Sequence, residues 1–145
     1  MTSADFFSPA DQRNITGKPG QNITLPCHDS AKDIITVEWK KRGLEPEYVL
    51  RYRNNHTDPE SQHLSFKNRV YLQDRQIKDG NLSLVLENTT SNDTGTFNCE
   101  IRIKGSRGSK TIGIINLTVK SGYRGGSAQL AICLSVFSYF LLMVL

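Results

Sequence analysis

Two cysteines and the only tryptophan have the spacing of a structural cross-link. Cys27 and Cys99 lie far apart in the chain, and Trp39 follows the first of them closely. In an oxidising compartment two such thiols form a disulfide, and closing a loop of this length stabilises a fold by about 4 kcal/mol in the chain-entropy model. We therefore predict a Cys27–Cys99 disulfide with the indole of Trp39 packed beside it. The alternative is a pair of unrelated structural cysteines in another fold.

The chain also contains many acceptor sites for N-linked sugars. Seven Asn-X-Ser/Thr sequons begin at Asn14, Asn22, Asn55, Asn81, Asn88, Asn92 and Asn116. Such an excess over chance predicts a secreted or cell-surface glycoprotein, which is the setting in which disulfides persist. Residues 1–20 contain no apolar run of the length that a signal peptide needs, so we expect that the export signal is missing from this sequence.

Residue types that catalyse reactions or hold cofactors show no productive spacing. The three histidines, His28, His56 and His63, do not match the spacing of metal ligands. No nucleophile elbow or glycine-rich phosphate loop is present in the sequence. The net charge is +4, and the 18 basic residues are scattered along the chain, which argues against nucleic-acid binding. We predict no enzyme activity, no cofactor and no metal.

Short runs of alternating apolar and polar residues predict β-strands around the cysteines. Ile23, Leu25 and Cys27 alternate with polar neighbours, which is the period of a strand with one buried face. The same alternation recurs over residues 82–86, 97–103 and 112–119. About nine strands with almost no helix, combined with the Cys…Trp…Cys spacing, are typical of an immunoglobulin-like sandwich. We therefore predict an all-β fold of two facing sheets.

Extra strand material before Arg69 distinguishes a variable-type from a constant-type domain. Residues 47–53 are rich in the aromatic and β-branched residues that strands prefer. Either face of this strand could point inward, and one assignment buries Tyr48, Leu50 and Tyr52. The sequence thus predicts a variable-type sandwich.

The composition divides the chain into a flexible leader over 1–14, the domain over 15–120, a linker over 121–127 and an apolar segment over 128–145. As a helix the last segment would extend about 27 Å, close to the ~30 Å hydrocarbon core of a bilayer. We predict either a membrane-spanning helix or the cleaved signal of a lipid anchor, with an ordinary buried helix as the third option. The first two options place the domain on the external side of the plasma membrane.

Residues near the second cysteine have the composition of a structural corner. Arg69 opens a short strand, and its guanidinium would reach Asp93 at the same end of the sandwich as a bidentate ion pair. Gly95 permits a tight corner, and Phe97 faces the core. A partly buried pair of this kind contributes more than a surface pair, and the alternative is two solvated charges.

Polar residues that alternate with the predicted core form a charged outer face. Its charged members are Glu38, Lys40, Arg51, Arg53, Glu100, Arg102 and Lys104, with Asn98 among them. We expect the sugars at Asn22, Asn81 and Asn88 on or near the other sheet, with Asn116 at the margin of this face. The face is therefore predicted to be free of sugar and to bind a protein partner. The loop 104–110 is a second candidate, and a merely solvated face is the alternative.

Four segments resemble the variable-type domain of butyrophilins and of myelin-oligodendrocyte-glycoprotein-like proteins. They are residues 37–40, 52–55, 66–70 and 93–99, within a resemblance that covers 15–120. It implies a cell-surface ligand that modulates T-cell activation through receptors on lymphocytes, usually by the outer face. Phe97 stands where this family has a tyrosine, so the corner lacks a hydroxyl hydrogen bond, typically ~1 kcal/mol.

Two functions are therefore expected of the chain. The first is an immune-regulatory protein that binds a partner on lymphocytes. The alternative is a homophilic adhesion module like myelin protein zero, because the mixed charges of Glu38, Glu100, Arg51 and Arg102 could be self-complementary.

Overall fold

The computed structural model describes residues 10–121. These residues form nine β-strands and three short 3₁₀ helices. The strands are β1 (Asp11–Gly17), β2 (Ile23–Leu25), β3 (Ile34–Lys41), β4 (Leu50–Arg53), β5 (His56–Thr57), β6 (Val70–Leu72), β7 (Leu84–Leu86), β8 (Gly95–Ile103) and β9 (Lys110–Val119). The all-β fold predicted from the alternation is confirmed.

The strands form two sheets around one core. The larger sheet has the order β1-β9-β8-β3-β4-β5, and the smaller has the order β2-β7-β6. β1 pairs with β9 in parallel, whereas the other neighbours in both sheets are antiparallel. The alternating apolar residues of both sheets are buried in the space between them, as expected for a sandwich. The predicted two-sheet architecture is confirmed.

The disulfide joins the two sheets through the middle of the core. Cys27 follows β2, and its sulfur is bonded to that of Cys99 in β8, with Cα atoms 6.5 Å apart. Trp39 in β3 pairs with Cys99 in the strand register and is fully buried. Its indole Nε1–H donates a hydrogen bond to the carbonyl of Leu82 at 3.0 Å. This bond satisfies the only polar atom of the ring, so the tryptophan can remain in the core.

The sandwich begins earlier than the sequence indicated. β1 starts at Asp11, so residues 11–14, which we had assigned to the leader, form an edge strand of the larger sheet. Their polarity hid the strand, because β1 is exposed on most of its length and is held by parallel pairing with β9. The apolar segment 128–145 and the linker residues after Ser121 lie outside the described residues. None of the helices within 10–121 is long and apolar enough to cross a bilayer.

The inward assignment of Tyr48 is wrong, although Leu50 and Tyr52 are buried as expected. β4 begins only at Leu50, and both Val49 and Leu50 turn towards the core. This break in the alternation leaves the ring of Tyr48 on the outer face. Its centroid lies 5.3 Å from the guanidinium carbon of Arg51. The alternation argument fails here because it assumes a strand without irregularities.

The predicted corner ion pair is confirmed. Arg69 donates to both carboxylate oxygens of Asp93, at 3.1 Å from Nη1 and 2.8 Å from Nη2. Asp93 also accepts a hydrogen bond from the backbone amide of Thr90 at 2.9 Å, and it is only 3% exposed. The Arg69 guanidinium lies 5.5 Å from the ring centroid of Phe66. This fully hydrogen-bonded pair fixes the turn that precedes β8.

Lys41 completes the corner beside Phe97. Phe97 is buried, and the Lys41 Nζ lies 5.9 Å from its ring centroid. The same ammonium donates a hydrogen bond to the Asn92 carbonyl at 2.9 Å. Gly95 makes room for this side chain, because a Cβ atom there would lie 2.7 Å from the Lys41 Cε. Lys41 thus supplies a hydrogen bond at a corner where Phe97 has no hydroxyl.

Candidate binding face of the larger sheet

The charged residues predicted for the outer face come from three adjacent strands. In the register of the sheet, Glu38 of β3 lies between Arg51 of β4 and Glu100 of β8. One row further along, Thr36 of β3 lies between Arg53 and Arg102. The strands β4, β3 and β8 therefore place these side chains on one surface, because residues two apart in a strand share a face.

Glu38 lies at the centre of this surface and is surrounded by cations. Its Oε2 lies 3.4 Å from the Arg51 Nε and 3.7 Å from the Arg102 Nε. Its Oε1 lies 3.9 Å from the Lys40 Nζ. Glu38 points to the outer face as predicted, but it is only 1% exposed, because the longer side chains around it cover the carboxylate. Neither oxygen accepts a hydrogen bond within the described residues.

Lys40 connects Glu38 to a second acid. Its Nζ lies 2.9 Å from the Glu100 Oε1, which also accepts a hydrogen bond from Ser109 at 3.1 Å. Burial lowers the pKa of Lys40, but the hydrogen bond and negative charge of Glu100, with the charge of Glu38, outweigh it and raise the pKa above 10.5. Lys40 is therefore fully charged at neutral pH. We refer to Glu38, Lys40, Arg51, Glu100 and Arg102 as the outer-face cluster.

Two residues that the sequence did not place on the outer face support this cluster. Tyr48 covers one side of it, with its ring centroid 5.6 Å from the Lys40 Nζ. Asp58 follows β5, and its Oδ2 lies 3.8 Å from the Arg51 Nη1. The side chains therefore present equal numbers of acids and bases. No periodic signal places Tyr48 or Asp58 here, because both lie outside the bounds of the strands.

Free cations lie at the edge of the cluster nearest the loop 104–110. Arg53, Lys104, Arg107 and Lys110 are exposed, and within residues 10–121 none of them forms an ion pair. Arg102 is the most exposed cation of the cluster, with 45% of its side chain accessible. Ile35, beside a register shift in β3, is 47% exposed at the same end. The excess of positive charge on the outer face is therefore concentrated at this end.

The prediction that the outer face carries no sugar acceptor needs correction. Asn14 of β1 pairs with Asn116 of β9, and both are exposed on the outer face of the larger sheet. The other sequons lie elsewhere: Asn22 precedes β2, Asn55 lies in the turn between β4 and β5, Asn81 and Asn88 flank β7, and Asn92 lies at the corner. Sequence alternation placed Asn116 only at the margin and missed Asn14 because it missed β1.

The outer-face cluster forms a charged surface on the larger sheet. No group of three or more His, Cys, Asp or Glu residues that could hold a metal occurs within 10–121. A cleft of about 400 Å³ lies between the edges of the two sheets, where Tyr52, His56 and Tyr71 line it. It is separate from the outer-face cluster. Charges of both signs on a protein surface can set the specificity and the rate of contact with another protein.

The sequence matches the Immunoglobulin V-set domain over residues 10–120. It is 29% identical to mouse butyrophilin subfamily 2 member A2 over 102 residues, covering 68% of this chain and 20% of that protein. It is 31% identical to mouse V-set domain containing T-cell activation inhibitor 1 over 109 residues, covering 73% of this chain and 36% of that protein. The resemblance to butyrophilins that the motifs indicated is confirmed.

The fold also resembles that of a solved relative. The crystal structure of the human B7-H4 IgV-like domain has a TM-score of 0.56 and 26% sequence identity, covering 79% of this chain and 94% of that one. The two curated relatives are much longer than the matched region, since the match spans 20% and 36% of their lengths. The comparison therefore concerns one domain of those proteins.

Proposed function

The chain belongs to the immunoglobulin V-set family, and from that premise we propose that it is a cell-surface glycoprotein that binds a protein on lymphocytes and modulates T-cell activation. The relatives support this role, because one of them is named as a T-cell activation inhibitor. We assign the contact to the outer-face cluster together with Arg53 and Lys104. The function is recognition, without catalysis or a cofactor.

The observation that carries this proposal is the state of Glu38. A buried carboxylate without hydrogen bonds is costly, so the cluster is poorly suited to stabilising the domain. Its cations are held by charge at 3.4 to 3.9 Å rather than by hydrogen bonds to Glu38. Arg102 can therefore turn towards a partner's carboxylate without breaking a hydrogen bond to Glu38. A partner with an acidic patch would satisfy these cations.

The test uses cells that display the full chain and T cells stimulated through their antigen receptor. We expect displayed chain to change T-cell division, and the double substitution R102E/K104E to abolish the change. K18E/K120E is the matched control, since Lys18 and Lys120 are exposed and follow β1 and β9 at the opposite end of the sandwich. Division that is equal with and without the displayed chain would contradict the proposal.

Homophilic adhesion is the second candidate, and the charge balance of the face favours it. Three cations, Lys40, Arg51 and Arg102, face three acids, Glu38, Glu100 and Asp58. A second copy rotated by a two-fold axis could pair the same charges across an interface. Sedimentation of the domain separates the two functions: micromolar self-association that R102E abolishes favours adhesion, and a monomer that binds activated lymphocytes favours the regulatory role.

A further inference from the structure

We infer that only one of Asn14 and Asn116 carries an N-glycan in any one exported molecule, and that this site is preferentially Asn14. The two sequons are 102 positions apart in the sequence, yet the parallel pairing of β1 and β9 places them directly opposite each other. The inference rests on the proposed function only in requiring that the chain is exported. It concerns where sugar lies relative to the outer-face cluster.

The two asparagines are joined by a hydrogen bond between their side chains. The Asn116 Nδ2 donates to the Asn14 Oδ1 at 3.0 Å, and the Asn116 Oδ1 accepts from the Thr96 hydroxyl at 3.0 Å. A hydrogen-bonded ladder thus crosses β8, β9 and β1. The carboxamide of Asn116 is held on both sides, whereas Asn14 lies on an edge strand with solvent on its far side.

Two sugars do not fit on this pair of positions. Neighbouring strands lie ~4.8 Å apart, which is less than the width of a sugar ring. Glycans on both asparagines would collide unless the side chains separated and the ladder broke. A chain with both sites modified before folding would therefore fold poorly, and we expect export to select chains with one glycan.

Asn14 is the site where a sugar disturbs the ladder least. A glycan on the Asn14 nitrogen leaves the Asn14 oxygen free to accept from Asn116. A glycan on Asn116 would take one of the two hydrogens of the donor nitrogen and add a sugar to a carboxamide that is already held on both sides. Asn14 also lies one strand further from β8 than Asn116 does, so a sugar there leaves the outer-face cluster more accessible.

The experiment counts glycans on the full chain, exported from cultured animal cells behind an added signal peptide. Intact mass before and after enzymatic removal of N-glycans gives the number per molecule for the natural sequence, N14Q, N116Q and N14Q/N116Q. We expect each single variant to retain the natural number, because the remaining site takes the glycan, and the double variant to lose one. Glycopeptide analysis of the natural sequence should find sugar mainly on Asn14.

The variants T16A and T118A repeat the test without altering the ladder, because they close the two sequons and keep both carboxamides. N88Q is the control for an independent site at the other sheet, and it should lose its own glycan in every background. Loss of two glycans, or of none, in the double variant would overturn the inference while leaving the proposed function intact. A chain exported without any glycan would contradict the proposed glycoprotein itself.

Discussion

Two buried carboxylates in this domain are paired with arginine in opposite ways. Asp93 at the corner is 3% exposed and accepts three hydrogen bonds, two from Arg69 and one from the Thr90 amide. Glu38 on the outer face is 1% exposed, and neither of its oxygens accepts a hydrogen bond from the described residues. The nearest cation atom lies 3.4 Å from it.

The difference in hydrogen bonding indicates which carboxylate stabilises the fold and which one is available for recognition. Burial of a charge is compensated only when hydrogen bonds replace those lost to water, as they do for Asp93. Glu38 lacks that compensation, so its surroundings are explained poorly by stability. The corner holds the sandwich together, and we propose that the outer-face cluster serves a partner.

The largest effect is expected at the corner. D93N preserves the shape of the side chain but removes the charge that Arg69 and the Thr90 amide bind. Loss of one partner of a buried pair leaves the other uncompensated, and we expect unfolding to become easier by about 3 kcal/mol. Urea denaturation of the domain measures this. A loss below about 1 kcal/mol would place Asp93 among ordinary surface acids.

The same isosteric change on the outer face should have a smaller effect. In E38Q the desolvated charge disappears and no hydrogen bond is lost with it, because the Glu38 oxygens accept none from the described residues. The surrounding cations, whose side chains are 22% to 45% exposed, can turn to solvent. We expect the free energy of unfolding to change by less than about 1 kcal/mol. If E38Q destabilises the domain as much as D93N does, the contrast between the two carboxylates is wrong.

The smallest expected effects concern the pH dependence of stability. The contributions of two adjacent lysines to the free energy of unfolding should change in opposite directions as pH rises. The pKa of Lys40 is raised above 10.5, for the reasons given above, so its contribution to stability is present below pH 10.5 and is lost as pH rises through the folded pKa. Burial lowers the pKa of Lys41 below 10.5, with the charge of Asp93 opposing it, so the cost of its charge disappears as pH rises.

The measurement compares K40M and K41M with the natural sequence by urea denaturation between pH 8 and pH 11. The stability advantage of the natural sequence over K40M should shrink at the alkaline end, and its advantage over K41M should grow. If the stability advantage of the natural sequence changed with pH in the same way over K40M as over K41M, Glu100 would not hold the proton on Lys40.

The corner was more predictable from sequence than the outer face. Cys27, Trp39, Cys99, Arg69 and Asp93 have fixed geometric roles in a sandwich, so their types and spacing identify both the fold and the contacts. Alternation also indicates which residues of β3 and β8 point outward. It cannot tell whether an outward residue is covered, and Glu38 is buried because of its neighbours rather than its own strand.

Two further positions on the outer face could not be predicted from the sequence, because they depend on how the strands pair and where they are irregular. Asn14 joins the outer face only because β1 pairs with a strand about 100 residues later, and residues 11–14 carry no apolar pattern that reveals this. Tyr48 lies outward because of an irregularity before β4 that leaves both Val49 and Leu50 buried. Such features depend on how strands meet, which a periodic pattern does not encode.

The most direct test of this account is one variant measured in two ways. E38Q/R51Q/R102Q neutralises the centre of the outer-face cluster with uncharged polar side chains, and its urea midpoint and its binding to activated lymphocytes are compared with those of the natural domain. We expect the midpoint to stay well above that of D93N while binding is lost. Retained binding, or a midpoint as low as that of D93N, would contradict the assignment of this cluster to recognition.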